Sequence, residues 1–100
     1  MIRATRAGGA LDASQIERLA ERLGAAGEPV LVSREPGGSP LGRRLRALLL
    51  GDQVVRIEPM AELLLYVADR VQHLIDVVEP ALAAGTHVLC DRYIDATLAY

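Results

Sequence analysis

Residues 29–36 read PVLVSREP, an aliphatic and partly β-branched run ended by charge and proline, the pattern of a short buried strand that stops at Ser33 or Arg34. A second run of the same kind, THVLCDRY at residues 86–93, carries Asp91 and Arg92 just past its expected carboxyl end. Two helical patterns lie between them. Ser39 and Pro40 open the first, with Leu41, Leu45, Leu48 and Leu49 on one side, Arg43, Arg44 and Arg46 elsewhere, and Gly51 at its end. The second runs from residue 59 to about residue 79; there Leu64, Val67, Val71, Leu74 and Val78 alternate three and four apart and read as a core-facing seam, and Pro80 breaks or kinks the helix. A different face of it carries Tyr66, Arg70 and His73. Strand, helix and strand with nearly continuous apolar strands indicate an α/β fold: a parallel sheet with flanking helices. Ligands of such sheets sit beyond the carboxyl ends of the strands, so Arg34 and Glu35 converge with Asp91 and Arg92 on one functional edge.

Upstream, GGALDASQIERLAERL at residues 8–23 has the outline of a glycine-rich loop running into an amphipathic helix. Ile16, Leu19, Ala20 and Leu23 fall at helical spacing, either Asp12 with Gln15 or Ser14 with Glu17 supplies a capping box, and Gly24 and Gly27 close the helix. The opening MIRAT lacks the apolar run of a central strand. Across 100 residues, 51% hydrophobic and 24% charged composition fits one globular domain or part of one, and 3% aromatics make any core lean and aliphatic. A net charge of −2 argues against nucleic acid or an anionic membrane as general partners. The single cysteine, Cys90, excludes an internal disulfide framework, and without a signal peptide or a long apolar span the expected location is cytoplasmic.

Three segments then fall into a known pattern. SREPGGSPLGRRLRALLL (33–50), AELLLYVADRVQH (61–73) and VLCDRYIDATLAY (88–100) resemble, in order and in spacing, successive segments of bacterial thymidylate kinases over residues 14–100. The resemblance implies a P-loop, nucleoside monophosphate kinase-like fold that converts ATP and dTMP to ADP and dTDP with Mg²⁺. It implies that Arg34, Glu35 and Pro36 line the monophosphate pocket, that Arg46 contacts the acceptor phosphate, that Tyr66 stacks on thymine and that Arg70 bonds the base edge. It further implies that Asp91 sits by the metal and acceptor phosphate, that Arg92 binds that phosphate, and that Thr97 and Tyr100 approach base and sugar. Tyr66 stands where the family usually has phenylalanine. A homodimer through helices like the one from Pro59 onward is also implied. Guanidinium forks suit phosphate oxygens and aromatic rings suit pyrimidine faces, in keeping with these roles.

The family's first loop, close to EGxxGAGKST, aligns with TRAGGALDAS at residues 5–14, and most of its chemistry is missing. Arg6 replaces the first glycine, Leu11 the glycine before lysine, Asp12 the lysine, and Ala13 the hydroxyl that holds Mg²⁺; only Gly9, Ala10 and Ser14 remain. A P-loop presents backbone N–H groups and a lysine to phosphate, whereas an N-capping Asp12 reverses the charge and occupies those donors. Residues 1–100 therefore read as a partial thymidylate kinase domain, with 1–13 divergent in place of the first strand and P-loop and the family's later strands and lid absent. ATP binding is expected to be lost. Three readings stay open: a kinase, a non-catalytic pyrimidine-monophosphate-binding remnant, and an inactive gene fragment. Arg43 and Arg44 read as solvated, His73 as a surface or packing residue, and Cys90 as a small buried hydrophobe.

Overall fold

The computed structural model describes residues 2–5, 13–51 and 55–92. Ile2–Thr5 (β1), Val30–Glu35 (β2) and His87–Arg92 (β3) form a sheet in the order β1-β3-β2, and both outer strands run parallel to β3. In register, Leu89 of β3 lies opposite Ile2 and Val32, Cys90 opposite Ser33, and Arg92 opposite Glu35. Because successive side chains of a strand point to opposite faces, Val30, Val32 and Leu89 share one face, and Ser33, Glu35, Cys90 and Arg92 share the other. Three details differ from the sequence reading. β2 runs one residue further, to Glu35; Asp91 and Arg92 are the last residues of β3 rather than the first beyond it; and β2 is an edge strand among the described residues, with Val32 about half exposed. Ile2–Thr5 does supply a strand, because parallel pairing draws on backbone groups that any of its residues offers.

On the first face lies α1 (Ala13–Ala25), whose Ile16 is buried against Leu89 with Leu19, Ala20, Leu23 and Val30 packed around the pair. The expected apolar stripe of this helix is thus its core contact. Ser14 falls inside the first turn and accepts a bond from Arg18, so it is not a cap with Glu17. The helix closes where Gly27, at φ +80°, lets the Glu28 N–H reach back to the Leu23 carbonyl at 2.9 Å.

The opposite face carries α3 (Pro59–His73), against which α2 (Pro40–Leu50) packs; α3 continues through a π-helical stretch, Leu74–Val78, into α4 (Glu79–Ala83). Ser39 caps α2 by accepting the Gly42 N–H at 2.9 Å, Pro40 fills the first turn, and Gly51 ends the helix, as the residue pattern requires. Pro80 has no N–H to donate, and the helix absorbs it by widening just upstream, where the Glu79 N–H bonds back to the Leu74 carbonyl. The buried face of α3 is the mixed one that carries Tyr66, Arg70 and His73, joined by Asp69, rather than the apolar seam expected to be core. Of the seam expected to be core, Val78 is buried, but Leu64 is 60% exposed and Val71 48%. Polar residues go inside here because each meets a partner there, which hydropathy alone does not register. No helix among the described residues is long and apolar enough to cross a membrane.

Candidate functional site

The polar residues at the carboxyl ends of β2 and β3 close around one carboxylate. Glu35 is buried, and its Oε2 lies 3.3 Å from Arg70 Nε and 3.9 Å from His73 Nδ1, while its Oε1 lies 3.9 Å from Arg92 Nε and accepts from the Cys90 thiol at 3.7 Å. Strand register puts Glu35 beside Arg92, and the four-residue helical step puts Arg70 and Tyr66 on one side of α3. Burial pushes the Glu35 carboxyl up, but the neighbouring His73 ring and Arg70 guanidinium outweigh it and hold the group below its ordinary value.

A second cluster shapes the turn that follows β2. Asp69 Oδ1 accepts the Gly37 N–H at 3.0 Å, Arg46 Nη1 donates to the Pro36 carbonyl at 2.8 Å, and Ser33 Oγ lies 2.6 Å from His73 Nε2. The Glu35–Pro36 peptide bond is cis. Glycines make the space these groups occupy: a Cβ on Gly38 would stand 2.5 Å from the His73 ring, and one on Gly42 would stand 2.5 Å from Asp69 Oδ1. Burial, with the negative charge of Glu35 adding to it, holds the Asp69 carboxyl above its ordinary value in spite of the Gly37 bond.

Of the residues the sequence singles out, Glu35, Pro36, Tyr66, Arg70 and Arg92 are buried in this region, Arg46 is half-buried at its rim, and Arg34 is exposed. Asp91, half-buried, lies opposite Arg34 on the other face of the sheet, so the end of β3 presents a carboxylate to one side and a guanidinium to the other. Ala13 and Ser14 open α1; Gly9, Ala10, Leu11, Asp12, Thr97 and Tyr100 lie outside the described residues. Asp69 is the residue that sequence reasoning missed, and His73, placed on the Tyr66 face, was read as a surface or packing residue rather than as part of the cluster. Their spacing of four on the Tyr66 side of the helix was a usable signal; what hid it was that a lone Asp or His on a helix ordinarily faces water.

The ligand atoms of Glu35, His73 and Cys90 lie within 4.8 Å of one another. Two guanidiniums already hold that carboxylate, however, and a nitrogen and sulfur set suits softer ions than Mg²⁺, which takes oxygen ligands. Asp91, an oxygen donor at a strand end, has the chemistry Mg²⁺ requires.

A parallel sheet with helices on both faces and a guanidinium-rich cluster at its carboxyl edge defines the class, an α/β protein whose site suits an anionic ligand. A family model, Thymidylate kinase, matches residues 13–100. Thymidylate kinase of Syntrophotalea carbinolica is 54% identical over 87 residues, which cover 87% of this chain and 40% of that protein. That of Deinococcus radiodurans is 54% identical over 92 residues, 92% of this chain and 44% of the relative. The crystal structure of thymidylate kinase from Ehrlichia chaffeensis superposes with a TM-score of 0.74 at 32% identity, covering 99% of this chain and 55% of that one. The chain belongs to the thymidylate kinase family. It spans about 40% of the length of the curated relatives it matches.

Proposed function

We propose that this chain forms the acceptor site of a thymidylate kinase: a pocket for dTMP, the molecule that receives the γ-phosphoryl group of ATP. The observation that carries this reading is the Glu35 carboxylate held between Arg70 and Arg92, which fixes two guanidiniums at the carboxyl edge of the sheet beside Tyr66. Phosphoryl transfer asks the protein chiefly to position charge and neutralise it. Arg92 and Arg46 hold the acceptor phosphate, Arg70 bonds the base edge, Tyr66 offers its ring to thymine, and the turn of Arg34, Glu35 and Pro36 lines the pocket. Thr97 and Tyr100 complete it at base and sugar. Asp91 would hold Mg²⁺ through water, and when bound that ion supplies charge neutralisation between the phosphates.

The reading does not extend to ATP. With Asp12 in the place of lysine and Leu11 in the place of glycine, residues 5–14 lack both the charge and the backbone access by which a P-loop grips a triphosphate. The chain is therefore a pyrimidine-monophosphate binder of kinase descent. A homodimer through the exposed apolar residues of α3 belongs to the same reading. Calorimetric titration tests it: dTMP binds and ATP with Mg²⁺ does not. A folded chain that ignores dTMP would sink the acceptor-site assignment, and tight Mg²⁺-dependent ATP binding would sink the loss of the first loop.

A further inference from the structure

One peptide unit of the turn after β2 is bonded at both ends. Its carbonyl, on Pro36, accepts from Arg46 Nη1 at 2.8 Å, and its N–H, on Gly37, donates to Asp69 Oδ1 at 3.0 Å. Because a peptide is planar, the two bonds are not independent: rotating the N–H away from Asp69 swings the carbonyl away from Arg46. Asp69 is 1% exposed and rooted in the middle of α3, so it is the fixed end of this linkage. Arg46, half-buried on α2, is the adjustable end. The surrounding backbone is cut to fit. Gly37 sits at φ +109°, where a side chain would be strained and its Cβ would stand 2.9 Å from Arg46 Cδ. Gly42, near the start of α2, leaves the room that the Asp69 carboxylate fills.

We propose that Asp69 is a positioning residue that aims the Arg46 guanidinium at the acceptor phosphate through the peptide joining Pro36 and Gly37. The proposal rests on the acceptor-site reading for the role of Arg46, but the linkage itself is a property of the fold and can be measured without substrate. Asp69 does not touch the ligand. It fixes one peptide plane, and that plane fixes an arginine.

The experiment compares Asp69→Ala, Asp69→Asn, Arg46→Ala and the Asp69→Ala/Arg46→Ala double variant of the full chain, with circular dichroism confirming the fold of each. Calorimetry uses two probes, dTMP and thymidine, which differ only by the phosphate. Loss of one charge-assisted bond predicts that Asp69→Ala weakens dTMP roughly tenfold and leaves thymidine unchanged. Asp69→Asn keeps an acceptor oxygen and restores dTMP binding. In the Arg46→Ala background, Asp69→Ala has no further effect on dTMP. Equal losses for both probes, or the full loss in the Arg46→Ala background, would mean a general packing role and overturn the proposal. If the parent chain binds no dTMP, the acceptor-site reading falls, and the linkage is judged by urea unfolding of the parent, Asp69→Ala, Arg46→Ala and the double variant. Non-additive destabilisation by Asp69→Ala and Arg46→Ala then upholds the coupling, and additivity overturns it. Should Asp69→Ala not fold, Asp69→Ser, whose hydroxyl is too short to reach the Gly37 N–H, takes its place in every comparison.

Discussion

Glu35 and Asp69 are both buried carboxylates, yet their surroundings bias them in opposite directions, and this makes a paired prediction. Glu35 is held below its ordinary value of 4.5, so it contributes stability that is present above that pH and is lost as pH falls through its lower folded value. Asp69 is held above its ordinary value of 3.8, so its contribution is present below that pH and is lost as pH rises through the folded value. At pH 7, Glu35→Gln should destabilise the chain by about 3 kcal/mol, because Arg70 and Arg92 lose the charge that offsets their burial. Asp69→Asn should leave stability unchanged or raised. Urea unfolding at pH 7 and again below pH 4 should show both differences shrinking in acid; the same sign for both variants at pH 7 would contradict the assignment. Sequence reading found Glu35, which stands with Arg34 at the expected carboxyl end of its strand and in the turn that the family resemblance marks, and missed Asp69, whose partner is a backbone N–H far away in the chain.

At the scale of single elements, helix starts were more legible than helix faces. Ser39 and Pro40 act through bonds to their immediate neighbours, so a local pattern suffices to place the start of α2. The buried side of α3 depends on what β2 and β3 offer across a gap, and the pattern of Leu64 and Val71 pointed the wrong way. Local chemistry also makes the cap testable. Ser39→Ala leaves the Gly42 N–H without its acceptor and should cost about 1 kcal/mol in chemical denaturation. Gly38→Ala should cost about 1–3 kcal/mol, because the new Cβ meets the His73 ring and, at 2.6 Å, the Arg34 carbonyl oxygen, and backbone yields less readily than a side chain. If Gly38→Ala unfolds at the same denaturant concentration as the parent, the close packing of His73 on the turn is wrong.

For the molecule as a whole, the parallel α/β layering was readable because two apolar strands separated by helices admit few other arrangements. What the layers leave uncovered was not. Met60, Leu64, Val71 and Ile75 follow one another at intervals of four, seven and four along α3 and into the π-helical stretch, which puts them on one side of the helix, and they are 65%, 60%, 48% and 57% exposed. The inward side of the same helix is occupied by Tyr66, Asp69, Arg70 and His73, so the apolar stripe cannot rotate into the core without breaking the Glu35 cluster. A stripe of this kind is covered most simply by its own copy, because a two-fold axis brings identical apolar surfaces together. Sedimentation velocity should therefore find the parent chain as a dimer, and Leu64→Lys with Ile75→Lys should shift it to monomer while its helical circular dichroism persists. Because the stripe and the Glu35 cluster occupy opposite sides of α3, those two substitutions should also leave dTMP affinity within a factor of about two. A monomeric parent would remove the dimer from the proposed function, and a large loss of dTMP affinity in the lysine variants would mean that the two sides of α3 are coupled rather than independent.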